Sequence, residues 1–203
     1  MIVELTAGPA DRVEADLLVV FLHADDRPPA GMTGLVDWRL NGLLSRHVKS
    51  GWFDGEPGEP LVLAGGRRTR TPRLLVMGLG RRREAGAERL REAGADALAW
   101  AAAMRLARIA LALPPPGEPP LPEAARVRAV VEGLLRTATG PRPPEVRPQV
   151  ALVLPLDAQP DAMATLSDLR ARAGAGYHFD LRPLAAVRPS AARPLAGSLV
   201  PIT

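Results

Sequence analysis

The apolar positions of this chain fall into short dense runs, separated by longer stretches in which they recur at helical spacing. Ile2–Thr6 and Asp16–Leu22 are two such runs, and the second is nearly continuous (Leu17, Leu18, Val19, Val20, Phe21, Leu22). A run without alternation fits a strand covered on both faces, as in parallel sheets. Pro60–Ala64, Arg73–Met77, Ile109–Leu113 and Gln149–Leu154 read as further strands. Thr33 is placed to cap a helix reaching about Val48, with Val36, Leu40, Leu43, Leu44 and His47 on one stripe. A second helix follows Gly80 and runs to about Leu106. A third has Pro122 at its first position and Glu123 in its first turn, then Val127, Val130, Val131, Leu134 and Leu135, and Gly140-Pro141 ends it.

Beyond Pro155 the pattern weakens. Ala162–Arg172 reads as a helix carrying Met163, Leu166 and Leu169, and Tyr177–Leu181 as a short strand. The tail from Arg182 holds Pro183, Pro189, Pro194 and Pro201 and reads as irregular. No internal repeat is visible. Strands alternating with helices predict an α/β fold, with a mixed, mostly parallel sheet and helices on both faces. Residues 1–155 form the predicted domain, and 156–203 an extension with one helix and one strand packed on it.

Composition narrows the classes. With 47% hydrophobic and 24% charged residues, the 203-residue chain is globular in type and not disordered. It has no cysteine, which excludes disulfides and Cys-ligated zinc or iron–sulfur centres. The start, Met1-Ile2-Val3-Glu4-Leu5, lacks the basic and apolar regions of a secretory signal. Arg105 and Arg108 interrupt the apolar stretch Leu98–Leu113, which is too charged and too short to cross a bilayer. The expected location is cytoplasmic, with no membrane contact. The net charge of +4 comes from arginines, since Lys49 is the sole lysine, and it points to no particular partner.

Candidate chemistry gathers after two of the strands. Gly78-Leu79-Gly80-Arg81-Arg82-Arg83 combines a glycine turn, a helix start and arginines, the ingredients of an anion site. A turn from strand to helix also needs glycine for purely structural reasons. His23-Ala24-Asp25-Asp26 follows the buried strand, where ligands collect in open α/β sheets. Holding a metal there requires a further ligand from elsewhere, so the simpler reading is a polar loop whose acids cap or face water. His47 reads as half-buried and structural, and His178 has no evident partner. No Cys nucleophile exists and no serine sits in a Gly-x-Ser-x-Gly elbow, so no catalytic residue is assigned. Arg67, Arg68, Arg70 and Arg73 precede one strand and Arg81–Arg83 follow it. About five residues at ~3.3 Å each keep the two clusters apart. Most aromatics (Trp38, Trp52, Trp100, Phe21, Phe53, Phe179, Tyr177) lie in apolar contexts, so no base-stacking platform is expected. Nucleic acid is then a partner only for an oligomer that aligns arginines from several copies.

Several of these pieces, in this order, resemble the N-terminal domain of leucyl aminopeptidases. They are the strand Asp16–Leu22, the loop Trp52-Phe53-Asp54-Gly55-Glu56-Pro57-Gly58-Glu59, the turn Val76-Met77-Gly78-Leu79-Gly80 and the helix with Glu132-Gly133-Leu134-Leu135. The resemblance covers roughly Glu14 to Leu135. It implies a three-layer architecture like that of macro domains, a part in assembling hexamers, and no catalytic residue. In that family a C-terminal domain binds two divalent metals through carboxylates and a lysine, within a signature containing Asn-Thr-Asp-Ala-Glu-Gly-Arg. Nothing here matches that signature, Lys49 lies in the N-terminal part, and the chain ends at Thr203. The expectation is therefore a relative without peptidase activity, cofactor or metal. It would act by association, as a homo-oligomer or with an aminopeptidase subunit. The alternative from the macro-like fold is a nucleotide or ADP-ribose-like anion held by Gly78, Gly80, Arg81, Arg82, Arg83, His23, Asp25 and Asp26. In ADP-ribose-binding macro domains an Asp begins a buried strand and an asparagine-rich segment follows. Asp16 is the candidate for that Asp, but Val20-Phe21-Leu22 stands where the asparagines belong.

Overall fold

All six residues of β2 (Leu17–Leu22) are buried, so the strand needs a packed layer above and below it. The structure, a computed structural model, describes residues 1–155, 158–172 and 180–182. Besides β2, the strands are β1 (Ile2–Ala7), β3 (Pro60–Ala64), β4 (Arg73–Gly78), β5 (Arg108–Ala112), β6 (Gln149–Leu154) and β7 (Asp180–Arg182). They form one sheet in the order β3-β4-β2-β5-β6-β1-β7. β3 runs antiparallel to β4, and the remaining pairings are parallel. The helices are α1 (Gly31–Arg39), α2 (Leu43–Lys49), α3 (Ala87–Ala103), α4 (Glu123–Ala138) and α5 (Gln159–Arg172).

The alternation of side chains along each strand feeds two cores. Val19, Phe21, Leu75 and Met77 pack with Leu90 and Leu98 of α3, Val130 and Leu134 of α4 and Leu166 of α5. On the other face Leu18, Val20, Leu22 and Val76 pack with Val36 of α1 and Leu44 of α2. The predicted α/β class, with a mostly parallel sheet between helical layers, is thus observed. From beyond Pro155, α5 adds Ala162, Leu166 and Leu169 to the first core, and β7 pairs with β1.

Some boundaries differ for physical reasons. The single helix expected from Thr33 to Val48 is two, because Asn41 and Gly42 adopt left-handed conformations (φ 55° and 70°) that a helix cannot continue through. Thr33 caps nothing; it is buried within α1 and its hydroxyl donates to the Phe21 carbonyl at 2.6 Å. The helix expected directly after Gly80 starts at Ala87, behind a single 3-10 turn at Arg82–Glu84. Pro122 lies one residue before α4 and not inside it. Tyr177, His178 and Phe179 and the proline-containing tail lie outside the described residues.

Gly133 has a packing role. It lies where α4 crosses α3, and a Cβ there would collide with the Arg91 carbonyl, as one on Gly94 would with the Val130 carbonyl. Arg91 also donates to Glu132 across this crossing at 2.6 Å. Gly133→Ala should force the helices apart and lower unfolding free energy by about 1–3 kcal/mol, measured by denaturant titration.

Asp16 stands at the start of β2 and binds the start of β5. Its carboxylate accepts from the Arg108 amide at 3.1 Å and from the Arg108 guanidinium at 2.8 Å. The side-chain hydrogen bond from Arg108 holds the Asp16 carboxyl below the usual carboxylate range, against the opposing effect of burial. A lowered native pKa stabilises the fold in full above the ordinary value of 3.8 and is lost as pH falls through the lowered one. Asp16→Asn should melt below wild type at neutral pH, and the two melting curves should converge as the solution is acidified.

Candidate functional site

In sheets of this type, ligands collect where parallel strands end. Here β2 leads into His23–Asp26, β4 into Leu79–Arg83, and β5 into Leu113–Pro116, with the loop Trp52–Glu59 alongside. The amide of Ala24 donates to the Gly80 carbonyl at 2.9 Å, tying the first two loops together. The same edge therefore carries Gly78, Gly80, Arg81, Arg82, Arg83, His23, Asp25 and Asp26. Asp16 is not there. It sits at the opposite end of β2, six residues or about 20 Å away, engaged by Arg108.

The glycine turn serves the protein itself. The amide of Gly78 donates to the Glu59 carbonyl at 2.8 Å, that of Leu79 to Leu22 at 2.9 Å and that of Gly80 to Gly55 at 2.9 Å. A Cβ on Gly78 would collide with the Glu56 carbonyl, and Gly80 has φ +72°. Glu59 closes the neighbouring loop by accepting from the amides of Gly55 at 2.8 Å and Glu56 at 3.0 Å. Donors committed in this way do not cradle an anion.

The arginines divide by role. Arg82 donates from Nε to Asp26 at 2.6 Å and from a terminal nitrogen to the Pro116 carbonyl at 3.1 Å, while its amide reaches Asp25 at 3.1 Å. Asp26 is buried, and this pairing neutralises it. His23 is fully buried, with Nδ1 3.3 Å from the Gly80 carbonyl and Nε2 without a hydrogen-bond partner. Of the two acids expected to cap or face water, Asp25 is exposed and accepts from the Arg82 amide, while Asp26 is buried beneath the Arg82 side chain. Arg81 and Arg83 are exposed and line a cavity of about 390 Å³ with Arg27, Asp25, Asp54 and Glu56. Three guanidinium groups and three carboxylates line it, leaving little net field for an anion.

A second cavity, of about 190 Å³, lies between the start of α1, the ends of β5 and β6, and the first turn of α4. Its walls include Gly31, Thr33, Leu113, Pro116, Val153 and Arg126. Arg126 donates to the Pro114 carbonyl at 2.6 Å, Glu123 lies 3.9 Å away, and the buried Nε has no partner. Burial pushes its guanidinium pKa down, against the pull of Glu123. No side chain caps α1 at this cavity. Sequence reasoning passed over Arg126, whose spacing on α4 is that of any partly exposed helical arginine. Among the described residues, no three His, Asp or Glu side chains group closely enough to hold a metal ion.

The aromatic residues depart from expectation. Phe21 and Phe53 are buried, but Trp38, Trp52 and Trp100 are 68%, 76% and 38% exposed. The Arg39 guanidinium lies 5.0 Å from the Trp38 ring centre. β4 separates the two arginine clusters, and within them Arg70 is paired with Glu14 and Arg82 with Asp26.

Removing Arg82 leaves the buried Asp26 carboxylate uncompensated. Arg82→Ala should lower unfolding free energy by about 2 kcal/mol, a value discounted for the partial exposure of the guanidinium. Asp26→Ala added to Arg82→Ala should restore part of the loss, as read from a double-mutant cycle in urea.

The fold has known counterparts. A tomato leucine aminopeptidase mutant matches with TM-score 0.55 and 18% identity, over 82% of this chain and 35% of that one. A macrodomain mutant from Oceanobacillus iheyensis matches with TM-score 0.66 and 10% identity, over 83% and 92%. The Trypanosoma brucei macrodomain in complex with ADP-ribose matches with TM-score 0.64 and 18% identity, over 81% and 68%. The chain thus spans about a third of the aminopeptidase and most of the macrodomains, and at these identities the likeness is one of fold. No curated protein matches it. Among the described residues, no helix is long and apolar enough to cross a membrane. The model of the cytosol aminopeptidase family, N-terminal domain, matches residues 19–138, more than half of the chain, and the chain belongs to that family through this domain.

Proposed function

We propose that this chain is a non-catalytic assembly module, acting by association with copies of itself or with an aminopeptidase subunit. The observation that carries the reading is the placement of its tryptophans, of which Trp38 and Trp52 are largely exposed and Trp100 partly so. Indole is among the side chains enriched at interface hot spots, and it gains several kcal/mol when buried at about 25 cal/mol per Å². Trp38 on α1 and Trp52 just after α2 leave that gain unused in the isolated chain. The strand-end loops support the same reading, because their amides and Arg82 are committed to internal partners. The part of the family matched is its N-terminal domain, and the sequence carries one lysine and no two-metal signature. Transferring peptidase activity to it has no basis in its residues.

A second reading is favoured by one observation, the unpartnered Arg126 Nε beside the uncapped start of α1. A cavity of about 190 Å³ lined by Arg126, Glu123 and mostly apolar groups has the size for part of a nucleotide or ADP-ribose-like anion, with Arg126 as its cation.

Sedimentation velocity separates the two readings. The chain alone, or mixed with a full-length aminopeptidase of the family, should sediment as a complex. Trp38→Ser with Trp52→Ser should weaken that complex at least tenfold. A monomer under both conditions overturns the assembly reading. If the same sample gained about 2.7 kcal/mol with ADP-ribose at 100-fold over Kd, and Arg126→Ala abolished the gain, the ligand reading would replace it.

A further inference from the structure

Among the described residues, β3 lies at one end of the sheet and pairs only with β4. In an antiparallel pair the residues alternate, one bonding to the partner strand and the next pointing its backbone groups away. The Gly78 amide donates to the Glu59 carbonyl and the Gly65 amide to the Pro72 carbonyl, which fixes the parity. Odd-numbered residues of this strand bond inward to β4. Pro60, Val62 and Ala64 therefore present their backbone groups outward, along an edge that no other described strand covers.

That edge is only partly protected. Edge strands are blunted by short length, proline, charged side chains, bulges or covering segments, and β3 has only its five-residue length and Pro60. β3 reads Pro-Leu-Val-Leu-Ala, without a charge along its length. Val62 faces the same side of the sheet as its partner Leu75, yet it is 47% exposed. Asp96 of α3 lies against Gly58, so this flank of α3 borders β3, and Trp100, one turn further along, extends the flank.

We propose that two copies of this chain pair β3 against β3, antiparallel, about a twofold axis at Val62. This rests on the association reading, names a second copy as the partner, and adds a self-pairing surface to the one carrying Trp38 and Trp52. The donors and acceptors are self-complementary in that register. The Val62 amide donates to the carbonyl of Val62 of the partner subunit, and the reverse bond follows by symmetry. The Ala64 amide donates to the carbonyl of Pro60 of the partner subunit, so Pro60, which has no amide hydrogen, serves only as an acceptor. The charges agree with the same register. Asp54 and Glu56 precede β3, and Arg67 and Arg68 follow it, so an antiparallel pair sets each acidic end beside a basic one. A parallel arrangement would set like charges together. The exposed Val62 side chains become cross-strand neighbours, with Trp100 of each copy flanking them.

The chain has no cysteine, which makes a site-directed cross-link selective. Facing Cα atoms about 5.5 Å apart are within disulfide range. Val62→Cys should form a covalent dimer under mild oxidation, while Glu145→Cys, on an exposed loop, should not. Val62→Pro removes only an outward amide, a substitution edge strands tolerate, and should weaken dimerisation at least tenfold with unchanged circular dichroism. Dimers that persist in Val62→Pro, with no cross-link in Val62→Cys, overturn the β3 pairing and leave association to another surface. A wild-type monomer that still complexes with an aminopeptidase overturns self-pairing alone. A monomer in both settings removes the pairing and the association reading together.

Discussion

Two-sided burial of the central strands is the constraint on which the rest of this molecule depends. β2 is apolar at all six positions, and neither face can meet water without exposing leucine, valine or phenylalanine. The chain answers with α3, α4 and α5 on one face and α1 and α2 on the other. The close α3–α4 contact, which requires Gly94 and Gly133, follows from the need to roof the first core without gaps. The same constraint ceases at β3, whose outer edge meets no strand among the described residues and whose Val62 is 47% exposed. Exposure at the edge is the counterpart of complete cover at the centre.

At the strand ends the same economy governs polar groups. Loops that leave a sheet must satisfy their amides, and here they do so with one another. Glu59 takes the amides of its own loop, the Gly78–Gly80 turn bonds to Leu22, Gly55 and Glu59, and Arg82 neutralises Asp26. The result is a rigid rim with few uncommitted groups. The exceptions are the buried His23, whose Nε2 has no partner, and Arg126, a partly buried guanidinium whose Nε is unsatisfied beside a small cavity. This distribution separates what the fold shares with ADP-ribose-bound macrodomains, its architecture, from what a ligand requires, which is donors aimed at it.

Much of the architecture was legible because burial leaves a strong pattern. The unbroken run Leu17–Leu22 announced a central strand, and Val127, Val130, Val131, Leu134 and Leu135 announced a helix over a core. The break at Asn41-Gly42 was present as a turn dipeptide, but the apolar stripe running through it outweighed the signal. The site was less legible. Glycine between strand and helix looks alike whether it cradles a phosphate or makes room for a neighbouring carbonyl, and only the position of Glu56 separates the two. The exposure of Trp38 and Trp52 was hidden for the opposite reason. Apolar neighbours along the chain suggested a core, but Trp38 is on the exposed side of α1 and Trp52 is in the loop after α2.

Amide hydrogen exchange across β3, followed as a function of protein concentration, tests the central claim most directly. The account predicts that the outward amides of Val62 and Ala64 gain protection as concentration rises, while those of Leu61 and Leu63, bonded to β4, are protected throughout. Fast exchange at Val62 and Ala64 at every concentration, in a chain that shows no other concentration-dependent protection, would contradict it.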